Sequence, residues 1–74
     1  MAIKVKMETV VSSTVHSIGY NENLRKLVVK FNSGGAYAYD NVPTIVFKEM
    51  LEAESPGKYL AEKVKGIYPY KKVL

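Results

Sequence analysis

LRKLVVKFNSGGAYAYDNVP, residues 24–43, decides how this chain folds. Leu24 to Phe31 alternates: Leu27, Val29 and Phe31 fall on one side of an extended chain, and Lys26, Val28 and Lys30 on the other. Asn32-Ser33-Gly34-Gly35 follows as a loop whose glycines supply positive φ. Ala36 to Asp40 then returns as a second strand, so the stretch predicts a hairpin. Val42-Pro43 closes it, because a proline that presets φ costs nothing at the first position of a helix.

Working towards the N-terminus, residues 12–20, SSTVHSIGY, are rich in β-branched and small residues and predict a strand ahead of the hairpin. Val15 and Ile18 are three apart, which breaks alternation; a bulge near Ser17 would let both face the core. Asn21-Glu22-Asn23 reads as the turn that follows.

Towards the C-terminus the period changes at Pro43. The run from Thr44 to Ala53 places Val46, Phe47, Met50 and Leu51 on one helical face. Ser55-Pro56 repeats a start signal, with Ser as N-cap and Pro at the first helical position. The second helix is expected to run to about Lys65 and stop at Gly66. Its apolar stripe would be Leu60, Ala61 and Val64, and its wet side Lys58, Glu62 and Lys65. The expected fold is α+β: a three-stranded antiparallel β-meander followed by two α-helices packed on one sheet face, β-β-β-α-α. Leu27, Val29, Phe31, Phe47, Met50, Leu51, Leu60 and Val64 would share one core.

Seventy-four residues make one domain at most, and so short a chain buries a modest share of its surface. With no cysteine it has neither disulfide nor thiolate–zinc site to staple it, and one histidine, His16, does not make a metal site. No cofactor is expected. His16 has Ser12 and Ser13 nearby but no carboxylate to complete a triad, so no catalytic residue and no enzymatic activity are expected. Gly34-Gly35 leads into a strand, not a helix, and so is no phosphate loop. The first residues lack the apolar run of a signal peptide, and no stretch approaches a membrane span. The cytoplasm is the expected compartment.

The formal charge is +4, from 11 Lys and Arg against 7 Asp and Glu. Arg25 is the only arginine. Such a balance permits an acidic partner such as nucleic acid, but small domains carry this much charge for solubility alone. Tyr37 and Tyr39 share a strand face. Turned outward they would form a stacking platform for bases; turned inward they would be core. Ala36 and Ala38 leave the opposite face small enough for a helix, which favours rings towards solvent or in a groove at the sheet edge. Arg25, Lys26 and Lys30 lie on or near the strand beside them. Lys58, Lys63, Lys65, Lys71 and Lys72 make the C-terminal third the most basic segment, with Tyr68 and Tyr70 interleaved. Each set has a plain alternative: a solvated strand face, a wet helix face, a frayed end.

The ordered set Val11-Ser12-Ser13, Ile18-Gly19-Tyr20, Leu27 to Phe31, a glycine before Tyr37-Ala38-Tyr39, Val42-Pro43, Ala53 to Tyr59 and Tyr68 resembles the KTSC domain. That short module is named for its place at the C-terminus of some lysyl-tRNA synthetases, and it also occurs alone in small bacterial and phage proteins. The resemblance covers about residues 11–68 of a domain taken as 1–74, with 1–10 and 69–74 as flanking segments. It implies RNA binding, the usual suggestion for the family. Ala38 departs from the larger or polar residue often found between the tyrosines, and Pro56 from a lysine. The expected function is a small non-enzymatic module binding RNA or other single-stranded nucleic acid. The candidate residues are Tyr37, Tyr39, Arg25, Lys26, Lys30, Lys58, Lys63, Lys65 and Tyr68. The alternative is a protein-interaction module, for example a phage factor docking on a host or bacterial protein.

Overall fold

A computed structural model of the chain describes residues 5–73. The elements, in order, are β1 (Met7–Thr9), β2 (Val15–Asn21), β3 (Lys26–Phe31), β4 (Ala36–Tyr39), α1 (Thr44–Glu52), α2 (Pro56–Lys63) and β5 (Tyr70–Lys72). All the strands join one antiparallel sheet in the order β1-β2-β3-β4-β5. The α+β class and the central meander match the sequence expectation; the strand count does not. Five strands are present among the described residues rather than three, because both segments expected to flank the domain supply a short edge strand. A three-residue strand has too little pattern of its own to be read, and it forms because a sheet edge offers it hydrogen bonds.

The bulge occurs where Val15 and Ile18 require it. Val15 pairs with Phe31 and Ser17 with Lys30, which leaves His16 as the extra residue. Both apolar side chains are thereby buried. Strand β3 begins at Lys26, two residues later than Leu24. Leu24 is instead an exposed turn residue whose N–H donates to Asn21 Oδ1 at 3.0 Å, and Arg25 beside it has a φ of 53°. Gly34 carries the expected positive φ, 106°, in the β3–β4 loop.

Pro43 is the extended N-cap of α1 rather than its first helical residue (φ −66°, ψ 150°). Pro56 does open α2, whose N-cap Ser55 accepts from the Lys58 N–H at 3.3 Å. Helix α2 ends at Lys63, short of Lys65, and Ala61 is exposed rather than part of its apolar stripe. Both helices lie on one sheet face. Val46, Met50, Leu60 and Val64 close over Val15, Ile18, Leu27 and Val29 in a single core with Tyr39 and Val42. Phe31, Phe47 and Leu51, expected to share this core, pack against it half-buried. Tyr20 stacks on Phe47 at 5.5 Å between ring centroids. Its hydroxyl donates to the Val42 carbonyl at 2.5 Å, tying the sheet to the entry of α1.

The opposite face carries mostly small residues. Ser17, Gly19, Val28, Ala36 and Ala38 alternate with the core residues and are all buried. Gly19 is needed there for steric reasons. A Cβ would sit 2.7 Å from Met7 Sδ and 2.9 Å from both the Lys6 carbonyl and Val5 Cγ2. Among the described residues no helix is long and apolar enough to cross a membrane.

Candidate functional site

Strand register settles where the two tyrosines point. Directly opposed residues of antiparallel strands share a face, and Tyr37 pairs with Val29 and Tyr39 with Leu27. Both rings therefore lie on the helix side. Of the two outward arrangements expected, rings to solvent or in a groove at the sheet edge, the first is corrected and the second describes Tyr37. It is Ala36 and Ala38 that face away from the helices, where they pack a second layer of small residues. Tyr39 is 3% exposed and belongs to the core. Burial, then the neighbouring Tyr70 and Tyr37, push its hydroxyl pKa up.

Tyr37 is different. The helical layer stops at Val64, and the face of β4 and β5 beyond it is left as an open groove of about 410 Å3. Phe31, Tyr37, Tyr39 and Tyr70 supply its aromatic lining, and Thr14, Ser33 and Lys65 its polar lining. The rings meet at different angles. Phe31 stands edge-on to Tyr37 at 5.6 Å, and Tyr70 tilts against Tyr37 at 5.4 Å and Tyr39 at 5.7 Å. Tyr70 is 59% exposed. Lys72 pairs with Tyr37 and so projects on the same side. No carboxylate lines the groove among the described residues. Aromatic faces alone attract cations, but Lys65 on the rim opposes that. Rings plus a cation suit a planar group attached to negative charge.

The predicted basic residues do not converge on one site. Lys26 forms an ion pair with Asp40, and Lys30 pairs with Ala36 and Ser17. Both lysines lie on the face opposite the tyrosines, so their place on the neighbouring strand does not bring them beside those rings. The cause is alternation: on β3, Leu27 and Val29 take the tyrosine side. Arg25 is exposed in the β2–β3 turn, and Lys58 and Lys63 are exposed on α2. Tyr68 is half-buried against the core and does not line the groove. Of the predicted set the groove gathers Tyr37, Tyr39 and Lys65. It adds Phe31, Tyr70, Thr14 and Ser33. Tyr70 carried a signal, an aromatic next to two lysines; Thr14 and Ser33 carried none, because only the folded loops bring them near.

Other side-chain hydrogen bonds join loops, the bulge and the helices. Ser12 Oγ accepts from the N–H groups of Thr14 and Val15 at 3.2 and 3.1 Å, and Asn32 Nδ2 donates to the Ser12 carbonyl at 2.9 Å. The Val11-Ser12-Ser13 segment is thus a loop staple. His16 Nδ1 lies 3.1 Å from Ser17 Oγ on the bulge. Tyr59 donates to Glu49 at 2.6 Å and locks α2 to α1. Burial and that hydrogen bond push its pKa up to about 12.

A five-stranded antiparallel sheet with two helices on one face and an aromatic groove where the helices end defines a small α+β domain. The KTSC domain family matches residues 11–68, and the chain belongs to that family. A protein of Tsukamurella paurometabola is 37% identical over 54 residues, covering 73% of this chain and 81% of its own length. An uncharacterized protein of Stutzerimonas stutzeri is 42% identical over 48 residues, covering 65% and 68%. The crystal structure of a KTSC domain protein from Yersinia pestis superposes with a TM-score of 0.91 at 30% identity. It covers 96% of this chain and 100% of the other. That likeness extends beyond residues 11–68, so it takes in more of the chain than the family match does.

Proposed function

We propose that this chain is a non-enzymatic, cytoplasmic binding module that takes single-stranded nucleic acid, RNA in the first instance, into the groove between β4, β5 and the end of α2. A base would lie against the partly buried ring of Tyr37 and the exposed ring of Tyr70, with Lys65 at the adjoining phosphate. The observation that carries this reading is the lining itself: four aromatic rings, one lysine and no carboxylate among the described residues. Stacking platforms beside cationic groups are how proteins hold unpaired bases with little sequence preference. A volume of about 410 Å3 falls within the usual range of ligand clefts. Tyr39 contributes as the floor, not as a stacking ring.

The test is fluorescence anisotropy with labelled single-stranded RNA at low salt. Affinity should fall as salt rises. Tyr37→Ala or Tyr70→Ala should each remove about 1–3 kcal/mol of binding, the usual worth of a base–aromatic stack. Lys65→Ala should flatten the salt dependence. Absence of binding at low salt would transfer the groove to a protein partner, the other class consistent with exposed tyrosines.

A further inference from the structure

We infer that β5 is a phosphate rail, along which a polynucleotide leaves the groove and crosses the sheet edge to the opposite face. The inference rests on the groove reading above and goes beyond it. It makes the ligand a strand of several nucleotides rather than a single nucleotide, and it assigns contacts to Lys71, Lys72 and Lys30.

Alternation on β5 supplies the geometry. Tyr70 pairs with Tyr39 and Lys72 with Tyr37, so both project on the groove side, whereas Lys71 pairs with Ala38 and projects on the other. Lys30, paired with Ala36, shares that far side. Cations thus stand on both sides of one short strand, and all three β5 residues are exposed. Backbone donors follow the same track. Val73 N–H donates to the Ala36 carbonyl and the Pro69 carbonyl accepts from Asp40 N–H. Odd-numbered positions here therefore turn their backbone groups to β4, and Tyr70 and Lys72 turn theirs to the open edge. Backbone N–H groups and lysines are ordinary phosphate partners. Ala36 and Ala38, beside the far-side lysines, are themselves buried, so contact on that side falls to Lys71 and Lys30. A lone nucleotide in the groove gains nothing from Lys71. A longer strand does, and so Lys71 separates the two ligands.

The experiment measures binding of labelled hexauridylate by anisotropy across a salt series, with uridine monophosphate as competitor. The proteins are the unaltered chain, Lys71→Glu, Lys71→Gln and, as an equal charge change away from groove and rail, Lys48→Glu on α1. Melting temperatures check that each folds. The hexamer should bind about tenfold or more tighter than the mononucleotide, because it reaches further cations. Lys71→Glu should weaken hexamer binding about fivefold or more and lower the salt slope by about 0.7, one phosphate contact on a single strand. Lys71→Gln should fall between, and neither should change the mononucleotide's affinity beyond what Lys48→Glu does. Equal binding of hexamer and mononucleotide overturns the rail and leaves the groove standing. The same holds if Lys71→Glu acts no more strongly than Lys48→Glu. No hexamer binding at any salt overturns both.

Discussion

The helix side of the sheet has two halves that look alike in sequence and differ in fate. Across β2 and β3, Val15, Ile18, Leu27 and Val29 lie under Val46, Met50, Leu60 and Val64, and all are buried. Across β4 and β5 the same face carries Tyr37, Tyr39 and Tyr70, and only Tyr39 is fully covered. The dividing line falls between neighbours. Val64 caps α2 and is wholly buried, while Lys65, the next residue, lines the groove. Helices of nine and eight residues are about 13 and 12 Å long, at 1.5 Å per residue, and they run out before the five-stranded sheet does. A small domain with more sheet than helix leaves aromatic surface open, and tyrosine suits such a boundary because its ring packs while its hydroxyl stays wet.

That contrast is most easily broken in the dry half. Leu27→Ala should destabilise the fold by about 2–5 kcal/mol, the cost of truncating a fully buried leucine, and in a domain this small that amounts to much of the stability. A urea midpoint near that of the unaltered chain would remove Leu27 from the core.

Gly19→Ala tests the small face behind it. The added Cβ would meet the Lys6 carbonyl at 2.9 Å as well as the Met7 side chain. Backbone is among those contacts, so overpacking should cost about 1–3 kcal/mol. An unchanged midpoint would mean that β1 does not lie against β2 in this register.

A smaller effect appears at high pH. Tyr59 is held up to about 12 against an ordinary 10.0. Above pH 10 the unfolded chain loses this proton before the folded one does, so stability is fully present below pH 10 and declines as pH rises to about 12. Tyr39 is shifted in the same direction by its burial. Tyr59→Phe should remove part of that alkaline decline, seen as a shallower fall of melting temperature between pH 10 and 12. An identical slope in the two proteins would show that the Glu49 contact is not maintained in solution.

Tyr70→Ala should have the least effect on folding, about 1 kcal/mol or less, the scale of an aromatic pair contact, because the side chain is mostly exposed. If this variant unfolds as Leu27→Ala does, Tyr70 is core and the groove has lost one of its two stacking rings.

The dry half was legible because its signals are local. Alternation from Lys26 to Phe31, the helical spacing of Val46 and Met50, and Ser55-Pro56 before α2 each point to an element without help from elsewhere. The bulge was legible for the same reason, since Val15 and Ile18 cannot both be buried without it. The wet half depends on pairings distant in sequence. Which way Tyr37 and Tyr39 point follows from the side that Leu27 and Val29 take, a question of register that spacing within β4 does not answer. Ala36 and Ala38 suggested helix contact, yet small residues serve equally on the outer face. Residues 70–72 form a strand only because the β4 edge receives them, and Thr14 reaches the groove only because Asn32 and Ser12 hold two loops together.

The central claim is that one half of the helix side is closed core and the other an open binding groove. Amide and aromatic chemical-shift mapping during titration with hexauridylate tests it most directly. Shifts concentrated at Phe31, Tyr37, Lys65 and Tyr70, with Ile18 and Met50 of the closed core unmoved, are the predicted result. Shifts confined to the helix exterior or to the β1 edge, or none at saturating RNA, would contradict it.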